Sequence, residues 1–136
     1  MGLTLSSADY AAIVAQIDAE RPNEACGLLA GTGGDVRRVY PVENVAHSPT
    51  VYEMNPAGQI AAFLELEAQG WKLTGIYHSH PAGPAVPSAT DIAKAYYPDS
   101  IYVIISPDAR GAWQMRGFEI DGAHVHEVPV TVRHDG

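Results

Sequence analysis

The stretch that decides the fold is KLTGIYHSHPAGPAVPSATD, residues 72–91. A strand-like run ends in two histidines, and because residues i and i+2 of a strand point to the same side, His78 and His80 present their imidazoles together. A proline-rich loop then turns the chain. Ser88 is a natural helix N-cap, which places Asp91 in the first helical turn. If that turn folds back over the strand end, Asp91 meets the two histidines.

These three side chains predict a metal centre. Two neutral imidazoles and one carboxylate form a typical zinc set that leaves one coordination position open for water. Zinc lowers the pKa of such a water from about 15.7 to roughly 7, which supplies hydroxide at neutral pH. The chemistry also needs a base that is not a ligand. Glu24, beside a buried strand, is the best candidate, although spacing alone does not select it from the eight glutamates.

Outward from this segment, apolar periodicity predicts a mixed α/β chain. Helices are expected at 7–20, behind a cap at Ser6 or Ser7, and at 57–69 and 89–97. Strands are expected at 25–30, 36–42, 72–78, 101–105, 112–120 and 124–132. The second helix is expected to present Ile60, Phe63 and Leu64 to the core. Because no repeat or linker interrupts the pattern, residues 1–136 are predicted to form a single domain.

Composition narrows the function classes. Eight basic and sixteen acidic residues give a net charge of -8, which disfavours nucleic acid as a partner, since phosphate binding needs clustered Lys and Arg. No apolar run approaches the roughly 20 residues that cross a bilayer, and the N-terminus lacks the basic start of a secretory signal. A single cysteine, Cys26, excludes an internal disulfide. We therefore expect a cytoplasmic protein without a membrane or nucleic-acid partner.

Two motifs together carry a family resemblance. NEACGLLAG at residues 23–31 and His-x-His-Pro-x6-Ser-x2-Asp at residues 78–91 resemble the JAMM metalloproteases, also called MPN-plus domains. The similarity spans most of the chain, in the family's order and spacing. It implies a single curved mixed β-sheet flanked by helices, in a layout that is also similar to cytidine deaminases. It further implies one catalytic zinc per chain and cleavage of a peptide or isopeptide bond.

The resemblance also assigns roles to five residues. His78, His80 and Asp91 resemble the zinc ligands, and Glu24 resembles the general acid/base that takes a proton from the zinc-bound water and returns it to the leaving amine. Ser88 resembles the donor of a hydrogen bond to the tetrahedral oxyanion. The chain lacks the large insertion of linkage-specific deubiquitinating members. It is similar to the small prokaryotic branch, for which the expected partner is a ubiquitin-like or sulfur-carrier protein ending in Gly-Gly.

Several simpler interpretations stay open for single residues. Ser88 and Asp91 also fit a capping box, so Ser88 could serve as helix cap, oxyanion donor or both. Cys26 is interpreted as a small apolar residue rather than a nucleophile. His124 and His126 share one side of a strand, but a third ligand is not evident there, and we do not expect a second metal site.

Two other functions compete with hydrolysis. The family includes metal-free members that only organise complexes, so a binding scaffold is the alternative, although such members lack the ligands that this chain retains. A nucleoside deaminase would need His-x-Glu with a Cys-x-x-Cys pair. Cys26 is the only cysteine in the chain, which excludes that zinc set.

Overall fold

A computed structural model describes residues 2–134, which form eight strands and three helices. The strands are β1 (Leu3–Ser6), β2 (Cys26–Thr32), β3 (Asp35–Val42), β4 (Lys72–Ser79), β5 (Ile101–Pro107), β6 (Trp113–Asp121), β7 (His124–Val128) and β8 (Val130–Arg133). The helices are α1 (Ser7–Glu20), α2 (Pro56–Ala68) and α3 (Ala89–Ala93). The predicted mixed α/β class is confirmed. The predicted domain, residues 1–136, includes Met1, Asp135 and Gly136, which lie outside the described residues.

All eight strands belong to one mixed sheet in the order β7-β6-β5-β4-β2-β3-β1-β8. The pairs β1–β3, β1–β8 and β4–β5 are parallel, and the others are antiparallel. The two edge strands, β7 and β8, follow each other in the chain with only Pro129 between them. The amide of Leu3 donates to the Pro129 carbonyl at 2.9 Å. The sheet therefore curls until its edges approach each other, as the predicted curved sheet requires.

Pro129 also explains a wrong strand boundary. We predicted one strand over residues 124–132, whereas β7 ends at Val128 and β8 begins at Val130. Proline has no backbone N–H to donate to a ladder, so it interrupts the strand at this point. The chain then leaves β6 and pairs with β1 in parallel, from Leu3 opposite Val130 onward.

The two faces of the sheet carry separate apolar clusters. α1 covers one face with Ile13 and Ile17, and α2 covers the other with Ala62 and Leu66. The prediction that Ile60 and Leu64 point inward is wrong, because these side chains are 58% and 64% exposed. The buried pair, Ala62 and Leu66, and the exposed pair, Ile60 and Leu64, have the same i, i+4 spacing. Periodicity alone therefore does not tell which of the two apolar stripes packs against the sheet.

Two short elements also depart from the sequence prediction. β1 was not predicted, because a four-residue strand has too few alternations to be recognised. α3 ends at Ala93 rather than near Tyr97, whose amide donates to the Tyr102 hydroxyl at 3.0 Å instead of continuing the helix. In the part of the chain that the structure describes, no helix is long and apolar enough to cross a membrane.

Strand pairing places the two sequence motifs side by side. β4 lies between β2 and β5, and Cys26 of β2 is directly opposite His78 of β4. At this end of the pair, the Ser79 amide donates to the Ala25 carbonyl, and the Ala25 amide donates to Ser79 Oγ, each at 2.9 Å. Glu24 thus enters the sheet beside the end of β4.

The close approach of β2 to Tyr77 gives a test of this packing. A Cβ at Gly27 would overlap the buried ring of Tyr77. We expect Gly27→Ala to lower the free energy of unfolding by about 1–3 kcal/mol, the range for overpacked cores. Gly58→Ala in α2 is the matched control, because its Cβ meets only ordinary contacts at 3.4 Å or more. Denaturant unfolding measures both, and a Gly27→Ala protein as stable as the parent would contradict the packing.

Candidate metal centre

His78 and His80 lie at the end of β4, deep in the protein. Their side chains are 1% and 10% exposed. The hydrogen bonding between β4 and β5 continues just past the end of β4, since the His80 amide donates to the Ile105 carbonyl at 2.8 Å. Both imidazoles therefore point to one side, as the i, i+2 spacing predicts. Their Nε2 atoms are 2.9 Å apart.

The proline-rich loop brings Asp91 to the histidines. Its Oδ2 atom lies 3.1 Å from His78 Nε2 and 3.0 Å from His80 Nε2. The same oxygen accepts the Ser88 amide at 2.9 Å, while Ser88 Oγ accepts the Asp91 amide at 3.0 Å. This capping box orients the first turn of α3 so that one carboxylate oxygen faces both rings. His78, His80 and Asp91 therefore contact one another, as the sequence predicts.

The three donor atoms fit a divalent metal. They form a triangle with sides of 2.9–3.1 Å. Donors around a tetrahedral zinc with bonds of about 2.0–2.1 Å are about 3.3 Å apart, so only a small adjustment is needed. His80 Nδ1 is bound to the Pro84 carbonyl at 2.8 Å, which fixes the ring and leaves Nε2 facing the other donors. The site thus has both the chemistry and the spacing of a metal centre.

Glu24 lies beside this triangle and is 2% exposed. Glu24, His78 and His80 each offer a ligand atom within 4.8 Å of the others. The Glu24 Oε1 atom is buried without a hydrogen-bond partner among the described residues. The pKa of Glu24 is raised to about 7, chiefly by burial; His80 opposes the shift and the nearby Asp91 adds to it. A carboxyl with this pKa can take up and release a proton near neutral pH.

The pKa of Asp91 is shifted in the opposite direction from that of Glu24. Burial opposes ionisation of Asp91, but hydrogen bonds from His78, His80 and the Ser88 amide outweigh it and hold the pKa of this carboxyl well below its usual range. Burial lowers the pKa of His78, although Asp91 partly compensates. Asp91 is therefore anionic and His78 neutral at pH 7, which are the forms that bind a metal.

Two clefts flank the triangle. One, of about 490 Å³, is bordered by Asp91 and by several tyrosines, among them Tyr52 and Tyr97. The other, of about 330 Å³, is bordered by Glu24 and His80. Ser88 lies at the rim of the second cleft. An extended chain that crosses the triangle from one cleft to the other would pass the Glu24 carboxyl.

Two residues at the site escaped the sequence analysis. The ring of Tyr52 stacks on the ring of His78, with centroids 4.5 Å apart and planes inclined by 28°. Asn44 is buried and binds the backbone of Glu24. Both belong to residues 43–54, where no periodic pattern marks a helix or a strand, so their contacts could be found only in three dimensions.

Cys26 is not a nucleophile. Its thiol is buried and donates to the Val42 carbonyl at 3.4 Å. Burial, with smaller contributions from Glu24 and Glu20, raises the pKa of the thiol to about 12. A thiol in this state is inert at neutral pH, in agreement with the interpretation of Cys26 as a small apolar residue.

Comparisons with known proteins agree with the motif. A family model described as prokaryotic homologs of the JAB domain matches residues 6–116. The chain is 42% identical over 115 residues to a desampylase of Haloferax volcanii, covering 82% of this chain and 79% of that protein. It is 37% identical over 123 residues to a CysO-cysteine peptidase of Mycobacterium tuberculosis, covering 89% of this chain and 84% of that protein. Among solved structures, protein DSY2949 of Desulfitobacterium hafniense superposes with a TM-score of 0.86 at 36% identity, covering 98% of this chain and 94% of that chain.

Replacement of Glu24 by glutamine is expected to stabilise the metal-free protein most at alkaline pH. The pKa of Glu24 is about 7 in the folded state against 4.5 for an unperturbed glutamate. The unfolded chain therefore loses this proton first, and the free energy of unfolding falls as the pH rises from 4.5 to 7, after which the loss is complete. Glutamine carries no charge and escapes this loss.

Thermal unfolding in the presence of chelator, at pH 5 and pH 8, measures this effect. The increase in Tm caused by Glu24→Gln should be larger at pH 8. Glu67→Gln, at an exposed position of α2, is the matched control and should change Tm little at either pH. An equal shift for Glu24→Gln at both values would contradict a buried carboxyl that ionises near neutrality.

Proposed function

The chain belongs to the prokaryotic homologues of the JAB domain, and we propose that it is a zinc metallopeptidase that hydrolyses the bond after the C-terminal Gly-Gly of a ubiquitin-like or sulfur-carrier protein. One observation carries the proposal. Two imidazole nitrogens and a carboxylate oxygen lie 2.9–3.1 Å from one another, beside a buried glutamate whose pKa is about 7. This is the donor set and the proton carrier of metal-assisted hydrolysis.

The substrate class is inferred from the relatives. The names desampylase and CysO-cysteine peptidase indicate hydrolysis of bonds to small ubiquitin-like carriers. The chain covers about four fifths of the length of both proteins, so the likeness includes the whole region that forms the site. The carrier's tail lies extended in the cleft beside Asp91, where tyrosine side chains offer flat walls to a narrow Gly-Gly segment.

His78, His80 and Asp91 would hold the metal, since their Nε2, Nε2 and Oδ2 atoms face one another. When bound, zinc polarises the scissile carbonyl and lowers the pKa of a water molecule to roughly 7. Asp91 is suited to this role because it is anionic at neutral pH, and His78 because burial keeps its ring neutral. One such ion per chain would occupy this donor triangle.

Glu24 moves the proton. Its Oε1 atom, which no described residue engages in a hydrogen bond, accepts a proton from the attacking water, and the resulting carboxylic acid donates it to the leaving nitrogen as the carbon–nitrogen bond breaks. A pKa of about 7 makes both directions of transfer feasible at neutral pH. The leaving group therefore occupies the cleft that Glu24 borders.

Ser88 serves two roles with two parts of one hydroxyl group. Its Oγ accepts the Asp91 amide, so the helix cap uses a lone pair and leaves the O–H proton free to donate. Because Ser88 borders the cleft beside Glu24, that proton can reach the oxyanion of the tetrahedral intermediate. Cap and oxyanion donor are therefore compatible.

The cleft beside Glu24 favours one kind of leaving group. Apart from Glu24 and His80 its lining carries no charged side chain among the described residues, and it includes Pro49, Thr50 and Val86. An apolar lining suits the methylene stem of a lysine joined through an isopeptide bond. A free amino-acid adduct would instead bring its carboxylate close to Glu24, and no lysine or arginine among the described lining residues would compensate its charge.

We further propose that residues 1–136 act as one domain and that the protein works in the cytoplasm, where a free thiol such as Cys26 persists. The alternative, a binding scaffold, would leave the donor triangle without a purpose. A purified protein that folds fully but takes up no zinc would favour the scaffold.

Cleavage of a Gly-Gly-tailed carrier fusion tests the mechanism. The parent protein should cleave the fusion, lose activity in chelator and regain it with zinc. Glu24→Gln should lower kcat by about 100-fold or more, the typical contribution of a positioned acid–base, while zinc content is retained. His78→Ala should lose the zinc as well.

Zinc analysis and single-turnover assays measure these effects, and Glu67→Gln serves as the control with unchanged kcat. Cleavage that persists at the parent rate in chelator, or in Glu24→Gln, would refute the assigned mechanism.

Competition between two conjugates of the same carrier tests the leaving group. The carrier joined to a lysine side chain should be cleaved with a higher kcat/KM than the carrier joined to free cysteine. Thr50→Arg places a cation at the cleft and should shift this ratio toward the cysteine adduct by about fivefold, the upper end for an exposed ion pair.

Thr32→Arg adds the same charge at the far end of β2 and should leave the ratio unchanged. A preference of the parent protein for the cysteine adduct would contradict this choice of leaving group.

A further inference from the structure

His78 lacks the support that His80 has. A histidine that binds a metal usually donates its second ring nitrogen to a carbonyl or carboxylate, which fixes the plane of the ring. His80 Nδ1 has such a partner in the Pro84 carbonyl. His78 Nδ1 is buried and finds no hydrogen-bond partner among the described residues. Something else must therefore hold the ring of His78.

The ring of Tyr52 is in the right place to do so. It lies against the His78 ring with centroids 4.5 Å apart and an interplanar angle of 28°, which is a stacked arrangement. A flat ring packed on an imidazole restricts its rotation about the Cβ–Cγ bond, and a stacked pair also contributes attraction beyond its buried area. The stacking thus supplies the constraint that the missing hydrogen bond would have given.

Tyr52 itself is held by Asn44. The Asn44 Nδ2 group donates to the Val51 carbonyl at 3.2 Å, and its Oδ1 accepts the Glu53 amide at 2.9 Å. These two backbone groups flank Tyr52 on either side. A third bond, from the Ala46 amide to Asn44 Oδ1 at 3.0 Å, closes the turn that begins at Asn44.

The fourth hydrogen bond of Asn44 reaches Glu24. Nδ2 donates to the Glu24 carbonyl at 3.0 Å, and the Glu24 amide donates to the Ser48 carbonyl at 2.8 Å. Both backbone groups of Glu24 are therefore bound to residues 43–54. Asn44 is 3% exposed and uses two donors and two acceptor lone pairs, which is the full capacity of its amide.

We propose that Asn44 and Tyr52 are positioning residues of the site. Tyr52 orients the ring of His78 by stacking on it. Asn44 connects the backbone around Tyr52 to the backbone of Glu24 by hydrogen bonds and so holds the two in a fixed relative position. The proposal rests on the metal-binding role of His78 argued above. One buried amide thereby fixes the distance between a metal ligand and the proton carrier, although neither positioning residue touches the metal.

Zinc affinity is the readout for Tyr52, measured by competition with a chromophoric chelator and by the visible spectrum of the cobalt form. Tyr52→Leu should weaken zinc binding by about tenfold or more, the range found when an outer partner of a metal ligand is lost, and should alter the cobalt spectrum. Tyr52→Phe retains a flat ring and should keep the affinity within about twofold.

Phe63→Leu is the matched control, because it removes a partly buried ring from the same apolar cluster without touching either histidine. Its zinc affinity should equal that of the parent even if its Tm falls as far as that of Tyr52→Leu. A folded Tyr52→Leu protein with the parent affinity, or a Tyr52→Phe protein as weak as Tyr52→Leu, would overturn the role of Tyr52. If the parent protein binds no zinc, the proposed metal centre fails first, and this outcome is distinct.

Steady-state kinetics at saturating zinc is the readout for Asn44. Asn44→Ser cannot reach the Glu24 carbonyl and should lower kcat about tenfold, because Glu24 is displaced from the reacting atoms. Thr74→Val is the control, since it removes another buried hydrogen bond, to the Leu29 carbonyl, away from the site.

Amide hydrogen exchange keeps the proposal testable if Asn44→Ser is poorly active for other reasons. The amides of Glu24 and Glu53 should exchange faster in Asn44→Ser and not in Thr74→Val. Protection of both amides at the parent level, or a fall in kcat that Thr74→Val reproduces, would overturn the role of Asn44.

Discussion

A single oxygen atom, Oδ2 of Asp91, connects the helical part of the site to the sheet. It meets both histidine Nε2 atoms and the Ser88 amide within 2.9–3.1 Å. α3 has only five residues and no fully buried side chain, so packing alone holds it weakly. The position of α3, and with it the position of Ser88, depends on this one carboxylate. The contacts of Asp91 Oδ2 thus complete the donor triangle and also attach the loop that carries Ser88 to the end of β4.

The two carboxyl groups of the site differ because their surroundings differ. Burial raises the pKa of Glu24 to about 7, and within residues 2–134 its Oε1 atom has no hydrogen-bond partner. Asp91 is also partly buried but accepts several hydrogen bonds, which lower its pKa far below the usual range. Under the proposed mechanism, carboxyl groups whose pKa values differ in this way divide the work, one as a permanent anion and one as a proton carrier. The division follows from hydrogen-bond partners rather than from residue type.

The sequence predicts the site better than it predicts the packing around it. The donor triangle follows from local rules, since strand alternation orients His78 and His80 and a capping box orients Asp91. Asn44 and Tyr52 obey no such rule, because their partners lie far along the chain and their own segment has no periodicity. The burial of Ile60 and Leu64 was predicted wrongly for a related reason, since these two residues form an apolar stripe as regular as the buried one. What depends on tertiary contact could not be read from spacing.

The pairing of β1 with β8 has a consequence for how the protein is made. β1 shares only the Thr4–Asp35 position with β3, whereas four successive residues pair with β8, beginning with Leu3 opposite Val130. During synthesis β1 must therefore wait until β8 has left the ribosome before this parallel pair can form. Contacts this distant in sequence slow folding, and an unpaired strand edge invites association with other chains. In a growing polypeptide, that edge of β1 stays open to other chains until residues 130–133 emerge.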